Sequence, residues 1–193
     1  MGWVDRIPRA GNLYIGGLHA LYQKPDLFAQ AGITHIVSVL DFDIYEAGAF
    51  SNYQHIHIRL DDDPNENLLQ HFKRSNAFIE KALSGGGGVF VHCAMGKSRS
   101  ATIACAYLMG KYGLGPLQAL GQVCEGRPVC SPNLGFMEQL EVYSKILKAA
   151  DEKEADDIYR KWLDERYIGD PWTWEARKVA LENEVKRDRP SKL

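Results

Sequence analysis

The chain has 193 residues, 45% of them hydrophobic and 25% charged, with 23 Lys and Arg against 25 Asp and Glu for a formal net charge of −2. That is the composition of a globular domain with a proper core, and the near-neutral balance excludes a broad basic surface for nucleic acid or membrane. Apolar runs fall short of the ~18 residues a membrane span needs, which leaves the membrane, collagenous and disordered classes out.

In chain order, Leu13–Ile15 predicts a short strand, Leu18–Ala31 a helix, and Thr34–Leu40 (THIVSVL) a buried β-branched strand. Ile56–Leu60 (IHIRL) alternates as a strand does, and Leu68, Leu69, Phe72, Phe78, Ile79 and Leu83 mark an amphipathic helix from about Asn67. After a glycine turn at Gly85–Gly88, Val89–Val91 predicts a short buried strand, and Ser98–Tyr112, Pro116–Cys124 and Leu134–Ala149 predict three helices. Strands alternating with helices predict an α/β domain over residues 1–150, a central mostly parallel sheet flanked by helices. Ligands of such sheets bind just past the carboxyl ends of the strands.

Residues 151–193 differ: 12 acids and 10 bases stand beside three of the four tryptophans, Trp162, Trp172 and Trp174. Ile158, Tyr159, Trp162, Leu163 and Tyr167 fall at helical spacing, Gly169-Asp170-Pro171 punctuates, and Val179, Ala180 and Leu181 continue a second helix. The reading is a charged helical extension docked on the domain. The four cysteines, Cys93, Cys105, Cys124 and Cys130, show no C-x-x-C pair and are too few for a disulfide framework. A reducing compartment follows, cytoplasm and also nucleus, with a peroxisomal address only if Ser191-Lys192-Leu193 is the natural end.

The chemistry concentrates in Val91-His92-Cys93-Ala94-Met95-Gly96-Lys97-Ser98-Arg99-Ser100. Gly96-Lys97-Ser98 imitates the end of a nucleotide-binding P-loop, but Val91 stands where that motif needs glycine. What remains is a cysteine on a strand-to-helix turn with an arginine six residues later. The backbone N–H groups of Ala94, Met95, Gly96, Lys97, Ser98 and Arg99 can form a nest around one tetrahedral oxyanion at a helix N-terminus. The Arg99 guanidinium grips two oxygens as a fork, and the same field stabilises a thiolate on Cys93. Cys105, Cys124 and Cys130 read as packing residues. Leaving-group departure needs a general acid, and the candidates are Asp61, Asp62 and Asp63 after the Ile56–Leu60 strand.

The pattern His-Cys-x5-Arg-Ser resembles the signature of the cysteine-based protein tyrosine phosphatases, in its dual-specificity branch. Leu13-Tyr14-Ile15-Gly16-Gly17, and Arg127-Pro128 followed by Pro132-Asn133-Leu134-Gly135-Phe136, are similar to that family's flanking elements. The resemblance implies Cys93 as nucleophile, Arg99 as phosphate clamp, Asp62 as acid and then base with Asp61 as the alternative, and Ser100 assisting thiolate release. It implies His92 and Asn133 as braces of the loop, and neither metal nor cofactor. The implied reaction is hydrolysis of phosphotyrosine and phosphoserine or phosphothreonine esters of a protein substrate through a phosphocysteine. A phosphoinositide or other non-protein phosphatase, with Lys97 as a second cation, is the first alternative; a phosphate-binding module with little turnover is the second. The acidic triplet and Ile158-Tyr159-Arg160-Lys161-Trp162 look most like the dual-specificity phosphatase twelve subgroup and its yeast counterpart. That subgroup continues into a zinc-binding region and includes members that act in ribosome maturation. This implies a catalytic part of a longer protein, with pre-ribosomal particles as partners.

Overall fold

The computed structural model describes residues 3–44 and 52–187, the side chains of 181–187 excepted. Five strands, β1 (Val4–Arg6), β2 (Leu13–Gly17), β3 (Ile33–Val39), β4 (Gln54–Ile58) and β5 (Gly88–Cys93), form one sheet in the order β1-β2-β5-β3-β4. Every neighbouring pair is parallel except β1 with β2, so the mixed, mostly parallel sheet is as expected. β5 is central and wholly buried, which is why Val-Phe-Val runs without polar alternation. Period-two geometry still divides its side chains. Val89, Val91 and Cys93 enter the main core with α3 (Phe72–Ser84), α4 (Arg99–Tyr112) and α6 (Leu134–Ile146). Phe90 enters the smaller core on the opposite face with Ala20, Phe28 and Ile36. Cys93 therefore faces the helical layer that begins at Arg99.

Several boundaries move, each for a physical reason. The helix expected over Leu18–Ala31 is two pieces, α1 (His19–Gln23) and α2 (Pro25–Gln30). Pro25 cannot continue the hydrogen-bond ladder and instead starts a new helix at its first position, with Lys24 in between at φ −138°. β4 lies two residues earlier than Ile56–Leu60, because its register is set by β3, His35 opposite Gln54 through Val39 opposite Ile58. Leu60 continues the apolar alternation, but its N–H reaches Leu40 O beyond the end of the ladder. The helix expected from Asn67 opens as a 3₁₀ turn, Leu69–His71, before α3. The one expected to reach Ala149 ends at Ile146. β1 was not expected at all.

α5 (Pro116–Gly126) begins with proline at its first turn, and α6 is capped by the preceding Asn133, whose Oδ1 accepts the Phe136 N–H at 2.9 Å. The extension folds as α7 (Glu152–Glu165) and α8 (Pro171–Arg187). Tyr159 and Trp162 pack against the main core and Trp174 is buried, but Leu163 and Trp172 are exposed and Tyr167 lies past the end of α7, edge-on to Trp174 at 4.8 Å. The Ser191-Lys192-Leu193 tripeptide lies outside the described residues. Among those described, no helix is long and apolar enough to cross a membrane.

Candidate active site

The turn between β5 and α4 is shaped by where its carbonyls go. Ala94 O accepts from Leu18 N–H at 3.1 Å and Lys97 O from Ser131 N–H at 2.9 Å. Met95 O and Gly96 O accept from the Arg127 guanidinium at 3.1 and 2.8 Å, and Ser98 O accepts from Thr102. Five successive carbonyls are thus turned away from the turn. In a planar trans peptide the next N–H points the opposite way, so the amides of Met95 through Arg99 are directed to the inner side. Gly96 makes the curl feasible, with φ at +68°.

Cys93 sits at the centre, 1% exposed. Its Sγ accepts the Gly96 N–H at 3.2 Å and lies 3.4 Å from Ser100 Oγ. The Arg99 side chain is buried, its Nη1 donating to Leu60 O at 3.1 Å and approaching Asp41 at 3.5 Å and Asp61 at 4.0 Å. Its Nε is buried with no hydrogen-bond partner among the described residues. A buried donor without an acceptor is costly, and an oxyanion in the turn would satisfy it.

The acidic triplet divides its work. Asp62 Oδ1 accepts from Ser98 Oγ at 2.6 Å and from Asn133 Nδ2 at 2.9 Å, which ties that residue to the rim of the turn. Asp61 accepts the Asp62 N–H and stands beside Arg99, while Asp63 accepts the Asn65 N–H and shapes the loop. Ser98 Oγ in turn accepts the Asn133 N–H at 3.0 Å. Asn133 thus reaches the turn through Ser98 and the acidic loop through Asp62. The Lys97 side chain is exposed.

His92 points to the opposite face of β5, fully buried and stacked on Phe90. Ser38 Oγ lies 2.5 Å from His92 Nε2 and 2.8 Å from His55 Nε2. His92 Nδ1 faces Cys93 O, which can only accept, so Nδ1 carries the proton and Ser38 donates to Nε2. Burial pushes the His92 pKa down to about 3 from 6.5, with the Cys93 carbonyl opposing the shift. The unfolded chain then binds a proton between about pH 3 and 6.5 that the folded chain refuses, so stability rises with pH across that window. Acidification from pH 6.5 costs about 1.4 kcal/mol per unit from this group. Urea unfolding at pH 7 and pH 5 checks this: the wild-type midpoint should fall more steeply than that of His92→Asn. Equal slopes would remove His92 as the source.

The other three cysteines lie away from the turn's inner side. Burial raises the thiol pKa of Cys105 and Cys124, and burial with Cys124 nearby pushes Cys130 up to about 12. All three stay thiols at neutral pH and are poor nucleophiles. Ser38, His55, Asp41 and Asp5 stand outside the motifs legible in the sequence; Asp5 pairs with Arg127 at 2.6 Å and fixes the guanidinium beneath the turn. In the sequence Arg127 stands only as part of a flanking element, before Pro128.

The dual-specificity phosphatase catalytic-domain family matches residues 13–146. Tyrosine-protein phosphatase YVH1 of Saccharomyces cerevisiae is 34% identical over 171 residues, covering 79% of this chain and 46% of that protein, so the chain spans less than half of YVH1's length. Dual specificity protein phosphatase 22-B of Danio rerio is 36% identical over 163 residues, covering 83% of this chain and 81% of that protein. The crystal structure of the Yvh1 phosphatase domain from Chaetomium thermophilum is similar with a TM-score of 0.68 and 35% identity, over 77% of this chain and 99% of that one. Coverage of this extent across sheet, turn and helical layer means that the chain belongs to the dual-specificity phosphatase family of protein phosphatases and is similar, within it, to the Yvh1 subgroup.

Proposed function

We propose that the chain hydrolyses phosphotyrosine and phosphoserine or phosphothreonine esters on protein substrates through a phosphocysteine. The observation that carries this is the turn itself, with five carbonyls turned outward around a buried cysteine and the unpartnered Nε of Arg99. In the first step the Cys93 thiolate attacks phosphorus, the phosphorus–oxygen ester bond breaks, and Asp62 gives its proton to the departing oxygen. Ser98 and Asn133 both hold Oδ1, which leaves Oδ2 as the oxygen that carries the proton. In the second step Asp62 takes a proton from water, whose oxygen attacks phosphorus. The sulfur–phosphorus bond breaks, inorganic phosphate leaves, and Ser100 donates a hydrogen bond to the returning thiolate. Arg99 and the inward amides hold the non-bridging oxygens throughout.

A groove of about 790 Å³ runs from Asp62 and Asn133 past Leu117, Pro132, Met137 and Trp174. Its largely apolar lining suits residues flanking a phosphorylated side chain, and the acids along it, Asp62, Asp63 and Glu175, outnumber its one cation among the described residues, Lys178, which disfavours a polyanionic headgroup. The test is kcat/KM on phosphotyrosyl and phosphothreonyl peptides against soluble phosphoinositides. Peptides should be the better substrates, and a phosphoinositide turned over tenfold faster than every peptide would replace the protein-substrate reading. Subgroup resemblance supports pre-ribosomal particles as partners and a cytoplasmic and nuclear location; co-sedimentation of the tagged chain with ribosomal precursors checks the first, fluorescence microscopy the second.

A further inference from the structure

The loop that carries Asp62 is gripped by the far end of the chain, and the grip converges on one residue. Asn65 Oδ1 accepts the Gly169 N–H at 3.0 Å and the Trp174 indole N–H at 2.8 Å, and Asn65 Nδ2 donates to Gly169 O at 2.8 Å. The Asn65 carbonyl accepts from Arg166 at 2.9 Å, and its N–H donates to Asp63. Two residues on, Asn67 Nδ2 donates to Tyr159 OH at 2.9 Å. The partners are themselves held: Arg166 stacks over Trp162, Trp174 is 5% exposed with Tyr167 edge-on to it, and Arg177 lies over both rings while bonding Glu138.

From the other side, α6 presses on the same loop. A Cβ at Gly135 would meet Pro64 O at 2.0 Å, and Gln139 bonds Glu66 O and the amides of Leu68 and Leu69. The loop is thus clamped between a domain helix and the extension. Simple docking of an extension needs only apolar cover, which Tyr159 and Trp162 already supply. The polar bonds on Asn65, three residues after Asp62, do something else: they fix the backbone from which the carboxyl group reaches the rim of the turn.

We propose that Asn65, with Gly169 and Trp174, is a positioning device through which the α7–α8 extension sets Asp62 for proton transfer. This rests on the reading of Asp62 as the proton donor. Proton transfer needs hydrogen-bond reach, and a misplacement of about 1 Å can cost on the order of a hundredfold. Aligned loss of that kind has a signature that mere destabilisation lacks: it matters for poor leaving groups and hardly at all for good ones.

The experiment uses the full chain with Asn65→Ala, Trp174→Phe, Asp62→Asn, Cys93→Ser and a remote core control, Ile79→Val. Phenyl phosphate serves as the poor leaving group, and an aryl phosphate with a strongly acidic fluorinated phenol serves as the good one. Asn65→Ala and Trp174→Phe should each lower kcat at least about tenfold on phenyl phosphate and less than about twofold on the fluorinated ester. Asn65→Ala added to Asp62→Asn should cost nothing further on phenyl phosphate, because both remove one function. Ile79→Val should lower the melting temperature and leave the ratio of the two kcat values alone. Equal losses on both esters, or a ratio unchanged from wild type while turnover still depends on Cys93, would overturn the positioning role alone. Wild-type turnover no higher than that of Cys93→Ser would overturn the phosphatase reading and this inference with it.

Discussion

Cys93→Ser is expected to reduce turnover of p-nitrophenyl phosphate by at least about 10⁴-fold while inorganic phosphate still binds within about tenfold of its wild-type affinity. The two halves of that result have separate causes. Binding rests on the inward amides and Arg99, and their supports, Leu18, Arg127, Ser131 and Thr102, do not touch the sulfur. Turnover rests on a nucleophile that must exist as an anion. The Gly96 N–H and the Ser100 hydroxyl stabilise a thiolate, but an alcohol in that place needs a base to take its proton. None is at hand in the first step among the described residues: His92 lies on the other face of β5 with its ring proton turned to a carbonyl, and Asp62 must itself carry the proton that the departing oxygen takes. Steady-state kinetics with isothermal titration of phosphate reads both halves. A variant retaining more than about 1% of wild-type kcat would place the nucleophile elsewhere.

How much of this is legible in the sequence depends on how local each interaction is. Residues 88–100 hold strand, turn and helix start within one window, so the cysteine, the arginine and the glycine between them can be read together. The apolar run of β3 and the periodicity of α4 are equally local. What escapes is fixed across the fold. Arg127 supports Gly96 from 31 positions away and pairs with Asp5 across 122, and no periodicity records either contact. Ser38 links two histidines because β3 lies between β4 and β5, an order that the sequence does not display. β1 has three residues at a sheet edge, too short to show alternation. The break at Pro25 was legible by rule, since proline donates no hydrogen bond, and the apolar pattern around it obscured that signal. Asp61 and Asp62 are chemically identical neighbours, and only their partners distinguish them: one beside Arg99, the other bonded to Ser98 and Asn133.

Gly96→Ala is expected to lower kcat/KM by at least about 10³-fold and stability by on the order of 3 kcal/mol, the sum of a backbone term and a steric one. The backbone term comes from φ of +68°, a conformation that costs a side-chain-bearing residue about 1 kcal/mol. The steric term comes from what stands behind the turn. A Cβ at position 96 would lie 2.3 Å from Gly16 C and O and 2.8 Å from Gly17 N, the end of β2, paired to β5 as Gly16 with His92 and Gly17 with Cys93. A sheet strand cannot recede as a flexible side chain can, so the turn must move. Its movement withdraws the Gly96 N–H from Cys93 Sγ and the Gly96 carbonyl from Arg127, and the neighbouring amides lose their aim. Gly113 supplies the internal control, because it shares φ of +68° at the end of α4 but has no atom within 4 Å of a built Cβ. Gly113→Ala should therefore cost only the ~1 kcal/mol backbone term and leave kcat/KM as in wild type. Denaturant unfolding and steady-state kinetics on both variants separate the two terms. Gly96→Ala with kcat/KM within tenfold of wild type would show that the turn tolerates displacement, and would remove the inward amides as the source of transition-state stabilisation.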